Sequence, residues 1–446
     1  MKLSSSLFAL LCLTYEIVSI APFLRGFFPD PVKSSFSAKI VMCPAGSGPN
    51  SSKVPEPLFK RVVMVLIDAL REDLVFGSDG RRFMPYTSRV VERGSSHSFI
   101  AKARPPTVTM PRIKALTTGS IPGFIDVVMN LNSPALLEDN LIWQTKSAGK
   151  QIIFYGDDTW VRLFPKHFME HDGTTYFFVS DYTEVDNNVT RHLDGTLKRD
   201  DWDILILHYL GLDHIGHISG PHSSLIGPKL MEMDDIIKKI HASLISKESE
   251  GTLPNLLVLC GDHGMSETGS HGGSSKPEIN TPLVLISPTF RRKCELHRQQ
   301  VDLTPTLALG LGLPISKNSV ALHLFFGEVN GILSLVFWFH LWHCSCLFKF
   351  SCTFPRLSLA VTEDGYEQFH VAEKSHGSWM KLYLDGNTSE VLSNMGKKVL
   401  RQYLEALKAM SSALSKHLVF SVTRSFRNHS NMMVFCSRNI SYYYQC

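Results

Sequence analysis

A chain of 446 residues with 44% hydrophobic and 19% charged residues is long enough to bury a large α/β core with appendages, and that balance excludes the disordered and fibrous classes. The formal net charge is only +4, and the basic residues form no run interleaved with aromatics, which argues against nucleic acid as a partner.

Lys2 opens the chain ahead of an apolar stretch from Leu7 to Leu24 that is closed by Arg25. Its length approaches the roughly 20 residues of a membrane span. Glu16 is costly in hydrocarbon and no small-x-small cleavage site follows, so residues 1–25 are expected to form an uncleaved signal anchor. Residues 26–58 place Pro29, Pro31, Pro44, Pro49, Pro55 and Pro57 among Ser and Gly, the composition of a stalk. Acceptor sequons at Asn50, Asn188, Asn387, Asn428 and Asn439 agree with secretory entry. Nine cysteines are an odd number, so at least one is unpaired. Cys12 and Cys260, both in apolar surroundings, are the expected free thiols, and no disulfide framework is implied.

A globular core is expected from about Phe59 onward. Arg61–Ile67, Ile152–Tyr155, Asp203–Tyr209, Leu256–Cys260 and Leu283–Ile286 read as strands, and Leu225–Ser246 and Asp302–Leu311 as helices. Such alternation argues for a mostly parallel sheet covered by helices on both faces. Beyond Pro314, the stretch Gly331–Phe348 lacks formal charge and is long enough to be a membrane segment. His340, His343, Cys344 and Cys346 within it fit no zinc-ribbon spacing, and an apolar helix explains them more simply. Residues 393–418 carry an amphipathic helix pattern, and the end of the chain is irregular and aromatic.

Several of these strands run into carboxylates and imidazoles. Asp68 follows the first, Asp213 and His217 the third, and Asp262 and His263 the fourth, with His271 shortly after. Taken singly, each has a plainer explanation. Asp68 could cap a helix, Asp262-His263-Gly264 could be a turn, and His214 and His217 could be surface histidines. Jointly they point elsewhere, because Asp213 and His217 share a helix side at a spacing of four and the strand ends converge at the carboxyl edge of a parallel sheet. Six such ligands suit two zinc ions. Between the ligand segments lies Arg104-Pro105-Pro106-Thr107-Val108-Thr109-Met110-Pro111-Arg112. Pro111 is well placed for the first turn of a helix running through Leu116, which would set the Thr109 hydroxyl at its amino end, where backbone amides favour a phosphate oxyanion. Thr109 alone would be read as an N-cap; beside metal ligands it is better read as a metal-activated nucleophile.

Strand-Asp68, Thr109 before a proline, Asp213 with His217, Asp262-His263-Gly264 and His271-Gly272 occur in the order of the alkaline phosphatase superfamily. The segments Leu66 to Arg71, Pro106 to Arg112, Gly156 to Trp160 and Leu210 to His217 make the chain most similar to the GPI ethanolamine phosphate transferases, in particular the branch acting on the second mannose. That resemblance spans roughly residues 1–325 and resumes near Gly365. It implies an alkaline phosphatase-like catalytic domain over 59–325, an atypical hydrophobic insert over 326–360, the C-terminal part of a luminal domain over 361–422 and an irregular tail over 423–446. The family continues into many membrane spans that this sequence lacks, so a shortened form is expected.

By the same resemblance, one zinc is held by Asp68, Thr109, Asp262 and His263 and the other by Asp213, His217 and His271. Thr109 then carries phosphoethanolamine from phosphatidylethanolamine to a mannose of the GPI precursor, at the luminal side of the endoplasmic reticulum membrane, with a small membrane subunit as a further partner. Asn130 or Asn132 is a candidate donor to a nonbridging phosphate oxygen, with a turn role as the competing reading. Asp157 and Asp158 are candidates to meet the ethanolammonium, with helix capping in competition. Two rival functions share these residues: a membrane-tethered or secreted phosphodiesterase that uses water as acceptor, and a catalytically inactive luminal domain. A sulfatase is disfavoured, since Thr109 cannot become a formylglycine.

Overall fold

The computed structural model describes residues 57–317 and 319, except 124, 131, 132, 176, 177, 249, 250, 291 and 292, together with single positions between 10 and 20 and between 367 and 409. Most of the expected anchor, the stalk, Asn132, the stretch 331–348 and the tail lie outside the described residues. Among the described residues, no helix is long and apolar enough to cross a membrane. The chain divides into two compact units, one comprising 1–32, 123–125 and 344–446 and the other 33–122 and 126–343. In the first, the described positions from 394 to 409 are helical.

The second unit is built on a sheet of eight strands: β1 (Val62–Ile67), β2 (Ser96–Lys102), β3 (Ile152–Asp157), β4 (Glu170–Thr174), β5 (Ile204–Tyr209), β6 (Leu256–Gly261), β7 (Asn280–Ile286) and β8 (Lys293–Gln299), in the order β4-β3-β5-β1-β6-β7-β2-β8. β1 pairs in parallel with β5 on one side and β6 on the other, and β3, β4 and β8 also join in parallel. Only β7, among the described strands, runs against its neighbours. β1, β5 and β6 are buried at every position, as expected of runs of Val, Ile and Leu with both faces covered.

The alternation of the strand divides the core in two. Val62, Met64 and Leu66 face one apolar layer with Ile113, Leu116, Phe154 and Leu307; Val63, Val65 and Ile67 face another with Tyr155, Leu230, Ile237 and Ile240. Five of the helices that cover these layers are α1 (Thr109–Thr118), α2 (Glu184–Thr190), α3 (Gly211–Ser219), α4 (Ile226–Ser246) and α5 (Leu303–Gly310). In α4 the buried residues Ile226, Leu230, Met233, Ile237, Ile240 and Leu244 recur at three- and four-residue steps, so one continuous stripe meets the sheet. Each such fully buried side chain contributes about 1.5–3 kcal/mol.

The apolar strands fall where the pattern placed them, within one or two residues at most ends; β7 starts three residues earlier than expected, at Asn280. β2, β4 and β8 were not foreseen, because their sequences, SHSFIAK, EHDGT and KCELHRQ, lack an apolar run. β3 also extends to Asp157 through Gly156, whose φ of +141° and missing side chain are both needed, since a Cβ there would stand 2.3 Å from the His208 carbonyl oxygen.

Candidate metal centre

The parallel strands deliver their following residues to a single edge of the sheet. Ile67 pairs with Tyr209 of β5 and Gly261 of β6, so Asp68, the start of α3 and Asp262 leave the sheet side by side. The Asp68 amide donates to the Tyr209 carbonyl at 2.9 Å, and the Ala69 amide donates to Asp262 Oδ1 at 3.2 Å. Ala69 takes the left-handed conformation (φ +57°) that turns the chain at this point. β2 ends at the same edge and leads into α1.

Two groups of ligand atoms result. In the first, His263 Nε2 lies 3.4 Å from Asp68 Oδ1 and 3.3 Å from Asp262 Oδ2, all three residues fully or nearly fully buried. The Thr109 hydroxyl is 3.4 Å from Asp68 Oδ2. His208, at the end of β5, joins Asp68 and Asp262, with its Nε2 at 3.6 Å from Asp68 Oδ2. In the second group His217 Nε2 is 3.3 Å from Asp213 Oδ2, and His271 Nε2 is 3.1 Å from His217 Nε2 and 3.7 Å from Asp213 Oδ1. The His263 and His271 rings stack at 4.1 Å, so the groups adjoin. Asp213 is buried, His271 half-buried and His217 exposed, which leaves the second group open to solvent.

Proton positions show what these groups lack. His271 Nδ1 meets the Thr107 carbonyl at 2.9 Å, and His263 Nδ1 meets the Gly264 carbonyl at 3.0 Å. A carbonyl only accepts, so both rings are protonated on Nδ1 and present a lone pair at Nε2. In the first group that lone pair confronts two carboxylate oxygens; acceptor faces acceptor, a conflict that a bound cation or a proton on a carboxyl relieves. Asp68 Oδ1, Asp262 Oδ2, His263 Nε2 and Asp213 Oδ1 accordingly find no hydrogen-bond partner although buried. This donor set, carboxylate oxygens with imidazole nitrogens, fits zinc.

The charges agree. Burial, followed by the Asp262, Asp213 and Asp157 carboxylates, holds Asp68 well above the usual carboxylate range, and burial likewise raises Asp262. Burial also drives His263 well below the usual imidazole value. Asp213 goes the other way: burial would raise it, but the His217 hydrogen bond and the imidazoles of His271, His217 and His263 pull it to about 2. Its hydrogen bond raises His217 in turn. An Asp213 carboxylate that stays ionised beside imidazoles is a ready cation ligand.

Of the residues expected at the site, Asp68, Thr109, Asp262 and His263 come together, as do Asp213, His217 and His271. Thr109 is not the N-cap of α1; Val108 holds that position, and the Thr109 hydroxyl turns to Asp68. His214 is buried rather than on the surface, with Nδ1 against the Asp181 carbonyl at 2.6 Å. Asn130 Oδ1 accepts from the Met110 amide at 3.1 Å and so fixes the start of α1 beside Thr109. Asp158 gives both carboxylate oxygens to Arg162, at 3.0 and 3.1 Å. Asp157 is buried at the end of β3, accepts from the Thr159 amide at 2.8 Å, and is raised to about 7 by burial.

Sequence reasoning missed the frame behind these ligands. Arg112, fully buried, donates to Gln300 Oε1 at 2.8 Å and to the Arg104 carbonyl at 2.7 Å, and Gln300 Nε2 donates to the Gly261 and Asp262 carbonyls at 2.6 Å. Burial lowers the guanidinium to about 9 while Asp262 resists. The Thr107 hydroxyl donates to the Gly273 carbonyl at 2.8 Å and accepts from the Gly272 amide at 3.0 Å, stitching the His271 loop to the approach to Thr109. Asp186 of α2 accepts from the Leu210 and Gly211 amides at 2.9 and 3.0 Å and pairs with buried Lys229 at 2.9 Å, anchoring the start of α3. Arg112 and Thr107 lie in the motif around Thr109 and could have been flagged; nothing in the sequence marks Gln300 or Asp186.

Residues 62–283 match the family model described as type I phosphodiesterase / nucleotide pyrophosphatase. The chain is 60% identical over 426 residues to human GPI ethanolamine phosphate transferase 2, catalytic subunit, covering 93% of this chain and 43% of that protein. It is 44% identical over 324 residues to GPI ethanolamine phosphate transferase 2 of Aspergillus fumigatus, 68% of this chain and 41% of that one. It therefore spans about two fifths of the length of these curated relatives. Among solved structures, the soluble domain of lipooligosaccharide phosphoethanolamine transferase A from Neisseria meningitidis aligns at 14% identity over 59% of this chain and 90% of that one, with a TM-score of 0.43.

Proposed function

Because this chain belongs to the GPI ethanolamine phosphate transferase family, we propose that it transfers phosphoethanolamine from phosphatidylethanolamine to a mannose, the second, of the GPI precursor. The observation that carries this reading is the Thr109 hydroxyl at the amino end of α1, 3.4 Å from Asp68 and beside two groups of cation ligands. Asp68, Thr109, Asp262 and His263 would hold one zinc, and Asp213, His217 and His271 the other. Bound zinc supplies the positive charge that makes a hydroxyl nucleophilic near neutral pH and offsets charge developing on phosphate oxygens.

The chain's own residues do the rest. Thr109 Oγ1 forms a bond to the donor phosphorus while the bond to the diacylglycerol oxygen breaks, and the Thr109 proton leaves with diacylglycerol. The mannose hydroxyl then takes the phosphoryl group, its proton returning to Thr109. Asn130, through the Met110 amide, holds the amino end of α1 in place during both steps. The exposed side at His217 is where donor and acceptor enter in turn. The proposed setting for this chemistry is the luminal face of the endoplasmic reticulum membrane, and the words "catalytic subunit" in the human relative's name support a partner subunit for this chain as well.

The test is a transfer assay with labelled phosphatidylethanolamine and a mannosylated GPI acceptor, run beside zinc determination. Label in the acceptor, lost in Thr109→Ala with zinc retained, supports the transferase. Label released to water and never to acceptor would favour the phosphodiesterase. Zinc bound with neither product would leave an inactive binding domain.

A further inference from the structure

Nothing in the sequence marks His208: it sits in the apolar strand ILILHY and reads as its polar end. In the structure it is completely buried, its Nε2 is 3.6 Å from Asp68 Oδ2, and it groups with Asp68 and Asp262 as if it were a third cation ligand. Its other nitrogen argues against that. Trp160 Nε1 lies 3.2 Å from His208 Nδ1. An indole N–H only donates, so His208 Nδ1 must be the acceptor and the ring proton must reside on Nε2. A protonated nitrogen has no lone pair for a metal.

We propose that His208 is a positioning residue, whose Nε2–H, locked in place by Trp160, holds the Asp68 carboxylate in the orientation that the first metal group requires. Trp160 is itself fixed, stacked on Phe154 at 5.5 Å and completely buried, so the imidazole has a rigid back support. Gly156 lets β3 approach the His208 backbone closely enough to bring the indole within reach. The separation of 3.6 Å is long for a hydrogen bond, and the interaction is that of an N–H dipole with a carboxylate in a buried site. Asp68 thus receives His208 and the Thr109 hydroxyl on Oδ2, while Oδ1 is left to the cation and His263. Groups placed behind a metal ligand in this way typically change metal affinity 10–100-fold when removed.

The inference rests on reading Asp68 as a metal ligand, and the experiment separates the two. Zinc affinity and stoichiometry of the full chain are measured for the wild type, His208→Gln and His208→Asn, with 15N-histidine spectra of the zinc-loaded wild type. Gln can place an amide N–H where Nε2–H stood; Asn reaches only the Nδ1 position. The expected result is full stoichiometry in all three, affinity at one site within about threefold for Gln and about 10–100-fold weaker for Asn, and a persistent Nε2–H resonance that His208→Asn removes. Loss of one zinc from His208→Gln, or no Nε2–H in the zinc-loaded protein, would make His208 a ligand and overturn the proposal. Equal affinity in Asn and wild type would overturn it too. A wild type that binds no zinc would fail the metal reading of Asp68, and this inference with it.

Discussion

At the scale of single residues, the groups that define the site are held by neighbours with no part in chemistry. Thr107 shows this most simply, since one buried hydroxyl bridges the Gly272 amide and the Gly273 carbonyl while its own carbonyl orients His271. Thr107→Val keeps the shape and strands both partners, so stability should fall by about 1–3 kcal/mol in urea unfolding. Zinc affinity of the Asp213, His217 and His271 group should fall about tenfold or more, and Thr107→Ser should recover most of both. Asp157 offers a test by pH. Its folded value of about 7 lies above the ordinary 3.8. Between those limits the folded carboxyl keeps a proton that the unfolded chain has released, so this residue's contribution to stability falls as pH rises, by up to ~1.4 kcal/mol per unit. In chelator-treated protein, Asp157→Asn should flatten the stability profile between about pH 4 and 7 and exceed the parent in stability at pH 8. An unaltered slope would show that Asp157 ionises freely. The candidate ligands themselves were legible because Asp and His stand out at the ends of apolar strands. Gln300 and His208 were not, because they act through partners distant in sequence, up to 188 residues for Gln300 with Arg112.

At the scale of elements, what places Asp213 and His217 is the start of α3, and that start belongs to α2 and α4. Asp186 takes the Leu210 and Gly211 amides, and Lys229 neutralises it, both side chains almost fully buried. Asp186→Ala leaves Lys229 in the core with Glu232, at 2.8 Å on the helix surface, as its one remaining ion-pair partner among the described residues. The expected cost is about 3 kcal/mol or more, partly restored by adding Lys229→Met, as thermal or urea denaturation would register. Equal losses in the single and double variants would place the defect elsewhere. Elements follow the same rule of legibility as residues. β1, β5 and β6 announce themselves because a strand buried on both faces needs continuous Val, Ile and Leu. β2 does not, although it is an interior strand, because Ser96, His97 and Ser98 are buried there by neighbouring strands rather than by their own hydrophobicity. The reversed direction of β7 likewise leaves no mark in its composition.

At the scale of the molecule, the sheet is a frame that brings residues 68, 109, 213, 217, 262, 263 and 271 to one edge, and the charges gathered there repel until a cation joins them. Chelation should therefore lower the thermal midpoint, and zinc at about 100 times its dissociation constant should restore about 2.7 kcal/mol. Zinc that left the midpoint unmoved would contradict the ligand groups. The central chemical act proposed for this chain, however, is at Thr109. The direct measurement is mass spectrometry of the full chain quenched after exposure to headgroup-labelled phosphatidylethanolamine, compared with Thr109→Ala. The account predicts one labelled phosphoethanolamine on the peptide carrying Thr109, discharged when mannosylated acceptor is added and missing from the variant. Label on another residue, or undiminished transfer by Thr109→Ala, would contradict it.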